Sequence, residues 1–412
     1  MPVADSSQTT RPADSRGVRS DHLGAAEKGK EAPKGRLMKS VTTDFITDEK
    51  YMREALRLAR RGLGRTSPNP AVGAVIVRDG KVIAAGYHRR AGEAHAEINA
   101  LSRLKGRPRS GDTLYVTLEP CNHHGKTPPC TAAILESGIR RVVVGMRDPN
   151  PHVAGGGCAV LAAEGVAVKT GLLEEACRRL NEAYIKFVTT SRPFVIAKTA
   201  LTLDGWTATS AGHSQWITNE ASRQFVHRLR DRVDAVMVGV ETVLADDPAL
   251  NTRLRKGEGK NPVRIILDTN LRTPPQAKVV THDDGSTWIA VGDDISARRL
   301  ERRAGERVLF LRCPKKDGRI DLSALMDRLG ERSVTSVLLE GGSTVMGAML
   351  RERLIDKVYI FKAPKLLGGG DGIPMASGPG VRTMAESIGI RHLKIRRFGE
   401  DVLFEGYPWY PS

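Results

Sequence analysis

Positions 118–133 read LEPCNHHGKTPPCTAA, with Cys121 and Cys130 nine positions apart and His123 and His124 between them. Thiolate sulfur and imidazole nitrogen are zinc ligands, so four of them within ten residues point to a metal. A closed set of four would be a structural site, whereas three ligands with one open position would be a catalytic one. A further candidate lies upstream, where GEAHAEINAL supplies the imidazole of His95 and the carboxylate of Glu97.

His-x-Glu followed by Pro-Cys and a second Cys is the signature of zinc-dependent deaminases. The residue types suit that chemistry. Two thiolates and one imidazole, from Cys121, Cys130 and His95, hold the metal and leave a position for water, whose pKa falls toward ~7. A carboxylate that is not a ligand must move the proton from water to the ring and the departing amine. Glu97 is assigned that role. His123 and His124 then become substrate-side or loop residues. The competing reading is a closed knot of both Cys and both loop His in a non-catalytic, zinc-stabilised binding protein.

The elements that must position these groups follow from periodicity and punctuation. DEKYMREALRLARRG puts Met52, Ala55, Leu56 and Ala59 on one helical face, with Gly62 as a C-cap. AVGAVIV and VIAAGY flank an Asp79-Gly80 turn and predict a strand pair. His95 opens a helix, Cys121 follows a strand, and Cys130 opens a second helix that Gly138 closes. Helix starts carry positive backbone potential, which favours a thiolate at Cys130. His95 and Glu97 are ~200° apart around a helix, so one metal serves both only at the helix end. Gly155-Gly156-Gly157 lacks phosphate-loop spacing and a following helix start, and is assigned a turn.

Alternating strands and helices define an α/β domain over 46–172, and LLEEACRRLNEAYIKFVTTS predicts a linking helix over 173–192. A second α/β domain occupies 193–412. Its strand-like segments are PFVIAKTALTLDG, DAVMVGV, VRIILDT, TWIAVG, RVLFLR, SVTSVLLE and KVYIFKAPKLLG. No G-x-G-x-x-G follows an early strand, so a Rossmann dinucleotide domain is not expected. SVTSVLLEGGSTVMGAML instead runs from strand through Gly341-Gly342 into a helix beginning at Ser343-Thr344, whose free N–H groups suit a phosphate. Residues 1–45, poor in large apolar side chains, predict a disordered tail.

Composition narrows the classes further. The 412 residues carry a formal charge of +17. The tail, with eight Lys/Arg and six Asp/Glu, accounts for +2 of it. A basic surface admits a nucleic-acid-editing deaminase as the alternative function. Aromatics make up only 5% of the chain, though, and no aromatic-interleaved basic stripe offers a stacking platform. No apolar run approaches the ~18 residues of a membrane span, and no secretory leader is evident. Five cysteines are too few for a disulfide framework and imply a reducing, cytoplasmic setting.

Four stretches, TSPNPAVGAVIV, GYHRRAGEAHAE, TLEPCNHHGKTPPC and DPNPHVAGGG, closely resemble the bifunctional riboflavin-biosynthesis deaminase–reductase family. The nine-position cysteine spacing separates this family from other zinc deaminases, and the resemblance runs from about 47 to 410. It implies a cytidine-deaminase-like three-layer α/β/α domain followed by a dihydrofolate-reductase-like α/β domain that uses NADPH. It further implies that Asn69, His88 and Lys126 contact a phosphorylated diaminopyrimidine ribotide. In the second domain, Ser214, Arg230, Leu250, Arg253 and Glu340 would line the substrate. Ala200, Trp216, Thr242, Asp246 and the run Gly342, Ser343, Thr344, Val345, Met346, Gly347 and Ala348 would line the cofactor. Forked hydrogen bonds from Arg230 and Arg253 suit a phosphate, and Glu340 can accept from ribose hydroxyls. Lys198 and Asp246 are candidates for proton movement. Neither a nucleic-acid nor a membrane partner is expected, and a homodimer formed through the second domain is.

Overall fold

The computed structural model describes residues 48–411 except Ser110, 124–127, 152–155, Ala304 and Glu306. The tail, His124, Lys126 and Gly155 therefore lie outside the described residues.

The first sheet is built from β1 (Gly73–Arg78), β2 (Lys81–Tyr87), β3 (Thr113–Leu118), β4 (Arg141–Met146) and β5 (Ala167–Thr170), in the order β2-β1-β3-β4-β5. β1 runs antiparallel to β2 and β3, while β3, β4 and β5 are parallel. The Asp79-Gly80 turn has both residues at positive φ, 46° and 74°, the geometry of a tight hairpin turn. Helices cover both faces. Gly73 and Gly86 mark the two sides, since a Cβ at Gly73 would sit 2.0 Å from the Ala55 carbonyl oxygen and one at Gly86 2.4 Å from that of Ala96. Helix 48–59 thus packs on one face and the helix Ala96–Leu101 on the other, joined there by Cys130–Ser137 and Gly157–Ala163.

The second sheet has nine strands: β6 (Phe194–Leu201), β8 (Ala235–Gly239), β9 (Val263–Leu267), β10 (Thr287–Gly292), β11 (Val308–Cys313), β14 (Ser336–Leu339), β15 (Lys357–Lys362), β17 (Gly389–Phe398) and β18 (Asp401–Trp409). The short strands β7 (Trp206–Ala208), β16 (Ile373–Pro374), β12 (Lys315–Lys316) and β13 (Arg319–Ile320) form two minor ribbons. The order is β11-β10-β9-β8-β14-β6-β15-β18-β17. The first seven in that order are parallel, and β18 and β17 add an antiparallel hairpin. The chain leaves β8 toward β9 but leaves β14 toward β15. A crevice therefore opens at the carboxyl ends of β8 and β14, where open α/β sheets bind ligands.

Several sequence expectations need correction. Gly62 is not a left-handed C-cap: it lies in a 3-10 turn, Arg60–Gly62, and Gly64 holds the positive φ of 76°. Gly157 does start a helix, Gly157–Ala163, whose Cys158 N–H donates to Glu119 Oε1 at 2.9 Å. The stretch 173–192 forms two helices, Glu174–Leu180 and Glu182–Thr190, broken at Asn181. That side chain is committed to Ala71, accepting from its N–H at 2.8 Å and donating to its carbonyl at 3.1 Å. The long hairpin β17–β18 was not anticipated. Charged residues break up the apolar run of β17, and most of that strand is exposed.

Candidate active sites

The first site is built where two helices begin. His95 is the N-cap of Ala96–Leu101, with extended backbone, and Cys130 is the first residue of Cys130–Ser137. Cys121 follows β3 by three residues. His95 Nδ1 lies 3.3 Å from Cys130 Sγ and 3.5 Å from Cys121 Sγ, and all three donor atoms fall within 4.8 Å of one another. Bond lengths of ~2.0–2.3 Å to a tetrahedral zinc require edges of roughly 3.5 Å, so these three donors fit zinc. All five cysteines are free. The Cys121 sulfur accepts from the Cys130 thiol and from the Cys130 backbone N–H at 3.4 Å. Its bond from Cys130, with His95 beside it, holds the Cys121 thiol below its ordinary range, which favours the thiolate.

Glu97 lies in the first turn of the same helix, 3% exposed. Burial pushes its carboxyl up to about 7. Such a group takes up and gives up a proton near neutrality. Glu97, His95 and Cys121 open onto a cavity of about 590 Å³ together with Asn69 and His88. Asn69 Nδ2 is 3.3 Å from His88 Nε2, and His88 Nδ1 is 3.2 Å from the Ala94 carbonyl oxygen. Burial lowers the pKa of His88, which keeps the ring neutral. His123 is exposed at the cavity rim and is not in the three-donor group. The sequence did not identify the opposite wall: Asp148 and, from the helix Glu182–Thr190, Tyr184, Phe187 and Val188. Tyr184 donates to Asp148 Oδ1 at 2.9 Å. Asp148 falls within DPNPHVAGGG, a stretch read only for its resemblance; the helix residues carried no signal, being some 50–90 positions from the ligands.

The second site gathers at the β8–β14 crevice. Glu340 follows β14, and Arg230 ends the helix Glu220–Arg230. Arg230 Nε donates to Glu340 Oε1 at 2.5 Å and Nη2 to Oε2 at 3.0 Å. Their side chains are 13% and 5% exposed. The fork expected to face a phosphate is thus engaged by a carboxylate, and Arg230 Nη1 donates to the Asn251 carbonyl at 2.9 Å. Burial works to raise the Glu340 carboxyl, but Arg230, aided by Lys198, outweighs it and holds the group below the usual carboxylate range. Burial in turn lowers the Lys198 ammonium. Arg253 remains exposed, with Nη1 donating to Asn251 Oδ1 at 2.8 Å. Its backbone N–H donates at 3.2 Å to Nδ1 of His227, a buried ring that sequence reasoning did not single out.

The cofactor candidates divide. Thr242 Oγ1 would be 3.1 Å from a Cβ at Gly341, and Val345 Cγ2 would be 3.0 Å from one at Gly239. At both glycines the space of a Cβ is taken by a neighbouring side chain, so they let the helices Val240–Asp246 and Ser343–Arg351 close onto the strand ends. Gly342 precedes the latter without a side-chain cap, so its first N–H groups remain available for a phosphate. That uncapped helix start suits a cofactor phosphate. Ser343 Oγ is 2.5 Å from Ser377 Oγ. Met346 faces the core, and Gly347 is buried against Ser377. Trp216 is 61% exposed, with the Arg223 guanidinium 4.5 Å from its ring centre. It is therefore a surface wall rather than core. Leu250 is a core residue at positive φ, 51°. Asp246 is exposed at the end of its helix, Ser214 is half-buried in the loop before Trp216, and Ala200 lies on β6.

Comparison with known proteins finds matches in both halves of the chain. Residues 46–146 match the cytidine and deoxycytidylate deaminase zinc-binding region, and residues 193–404 match the RibD C-terminal domain. The riboflavin biosynthesis protein RibD of Actinobacillus pleuropneumoniae is 44% identical over 362 residues, covering 87% of this chain and 95% of that protein. That of Escherichia coli is 41% identical over 368 residues, covering 87% and 98%. A solved Thermotoga maritima structure is described as a diaminohydroxyphosphoribosylaminopyrimidine deaminase/5-amino-6-(5-phosphoribosylamino)uracil reductase. It superposes with a TM-score of 0.80 at 38% identity, over 89% of this chain and all of that one. RibD of Acinetobacter baumannii gives 0.80 at 36% identity, over 89% and 99%. Matches in both halves to one family of small-molecule enzymes displace the editing alternative. With a zinc-dependent deaminase in its first half and an NADPH-dependent reductase in its second, the chain belongs to the RibD family of riboflavin biosynthesis proteins.

Proposed function

We propose that this enzyme deaminates 2,5-diamino-6-(ribosylamino)pyrimidin-4-one 5′-phosphate and then reduces the ribosyl chain of the product to ribityl. The observation that carries the first step is the group His95, Cys121 and Cys130 beside the buried Glu97 at the floor of one cavity. These three residues hold the zinc. What zinc supplies when bound is a water of lowered pKa at the open position. Glu97 would accept one proton from that water and pass it to the ring nitrogen, then carry the remaining hydroxyl proton to the departing amine, so that water and the amino carbon become a carbonyl and ammonia. Asn69 and His88 orient the ring.

For the second step NADPH, when bound, would supply a hydride for C1′ of the opened ribose, and the imine nitrogen would take a proton. Thr242, Trp216, Asp246, Ala200 and the turn from Gly342 hold the cofactor. Arg253 offers the exposed guanidinium for the substrate phosphate, and Arg230 holds Glu340 toward the ribose hydroxyls. Lys198, beside Glu340 and with its ammonium drawn down by burial, is the better-placed proton donor. We assign 46–172 to the deaminase, 173–192 to the connection and 193–412 to the reductase. No helix among the described residues is long and apolar enough to cross a membrane. Five free thiols suit a reducing cytoplasm. A homodimer through the second domain is supported by β17, an edge strand exposing Leu393 and Ile395.

The test is incubation of the zinc-loaded enzyme with the diaminopyrimidine ribotide, with and without NADPH. Ammonia is released without NADPH, and NADPH is oxidised only after deamination. No ammonia release would sink the reading.

A further inference from the structure

The segment Ser67-Pro68-Asn69-Pro70-Ala71 runs along the wall of the deaminase cavity, which Pro68, Asn69 and Pro70 line. It is held at both ends. At Ala71 the Asn181 amide grips both backbone groups. At Ser67 the hydroxyl donates at 2.8 Å to Asp234 Oδ2, a carboxylate of the reductase half. That oxygen also accepts from Thr335 N–H at 2.9 Å, Thr335 Oγ1 at 2.7 Å and Ser336 Oγ at 3.2 Å. The Asp234 side chain is 12% exposed. It is a fixed post within its own domain, to which the other domain's loop is tied.

Neighbouring contacts strengthen the tie. Arg65 donates to the Asp231 carbonyl at 2.9 Å and to Asp231 Oδ1 at 2.8 Å, and Lys260 Nζ donates to the Gly64 carbonyl at 3.0 Å. Two prolines restrict the backbone between the anchors, so a displacement at Ser67 reaches Asn69 with little slack. Asn69 in turn meets His88, whose ring lies edge-on to that of His95, centroids 5.3 Å apart.

We propose that Asp234, through Ser67, is a positioning residue for deamination, so that the reductase half sets the substrate-binding wall of the deaminase cavity. The proposal rests on the deaminase reading above. Asp234 touches neither metal nor substrate; it acts by fixing the loop that presents Asn69. Its effect belongs in substrate binding rather than in the proton transfers at Glu97.

The experiment uses the full-length, zinc-loaded enzyme and the diaminopyrimidine ribotide. Ser67→Ala raises the deamination KM roughly tenfold, as loss of a charge-assisted hydrogen bond implies. It leaves the deamination kcat, zinc content and reductase kinetics on the deaminated substrate at wild-type values. Ser67→Thr, which keeps the hydroxyl, restores the KM. Asp234→Asn raises the same KM, and the double variant is no worse than Asp234→Asn alone, because both act through one contact. A wild-type KM in Ser67→Ala, additive effects in the double variant, or parallel loss of both reactions overturns the proposal. If wild-type enzyme releases no ammonia, the functional reading fails instead, so the two failures are distinguishable.

Discussion

The two active sites of this chain are built in opposite ways. The deaminase centre draws three donors and a carboxylate from 36 positions, His95 to Cys130, each at the start of a helix or just past a strand. The reductase centre pairs Arg230 with Glu340, 110 positions away, and leans Thr242 against Gly341 across two crossover units. Metal chemistry prescribes residue types: only a few side chains bind zinc, and a general base must be a group that titrates. Hydride transfer from a bound cofactor asks the protein chiefly for orientation and charge placement, which many residue types can supply. The first site is therefore chemically rigid and locally written, and the second is geometrically rigid and distributed.

The largest test of this contrast is Glu97→Gln. Deamination should fall by ~10²–10⁴-fold, the usual contribution of a positioned acid–base group, with about one zinc per chain retained. Reduction of the deaminated substrate should be unaffected. A chelator should likewise silence only the first reaction. Loss of both reactions would mean that the two sites are not independent in the way their construction suggests.

In the second half the sharpest break is Arg230→Ala, which strands the buried Glu340 carboxylate. Removing one partner of such a pair costs roughly 3–5 kcal/mol, and urea unfolding should register it along with a loss of reductase rate. Unchanged stability would show that the pair is solvated rather than desolvated.

A smaller effect is expected from His227. Its pKa is pushed down to about 4, first by burial and then by Arg230 and Arg253. The unfolded ring, near 6.5, binds a proton that the folded ring refuses. Its contribution to stability is therefore complete above pH 6.5 and is lost as pH falls toward 4. His227→Ala should flatten that acid limb of the stability profile; an unaltered limb would assign it to other groups. The smallest effect is expected from His123→Ala combined with His124→Ala, which should leave zinc content unchanged. Loss of the metal would revive the closed knot.

These contrasts track what could be read from the chain. His95, Glu97, Cys121 and Cys130 were legible because their types are rare and their spacing is local. Asn69 and His88 were legible by resemblance, and the structure brings both to the cavity. Tyr184 and Phe187 were not, because an aromatic residue on an amphipathic helix looks the same whether it faces a core or a cavity. The Arg230 fork was read as free for phosphate, since a sequence shows an arginine but not the carboxylate that engages it. Met346 and Leu250 were read as lining and prove to be core residues, since helical phase and a positive φ turn their side chains inward.

By itself the sequence determined the three-donor cluster, the glutamate proposed as its general base, the two α/β halves and the strand–glycine–helix turn proposed for phosphate. Each of these is specified by side-chain chemistry or by periodicity within a few tens of residues. Only the tertiary structure decided that Arg230 serves Glu340, that the linking segment breaks at Asn181 to grip Ala71, and that Asp234 of one half holds Ser67 of the other. Those are hydrogen bonds between residues 110 to 167 positions apart. Their donors and acceptors are common residue types whose partners are chosen by packing, and packing is a property of the whole fold rather than of any local stretch.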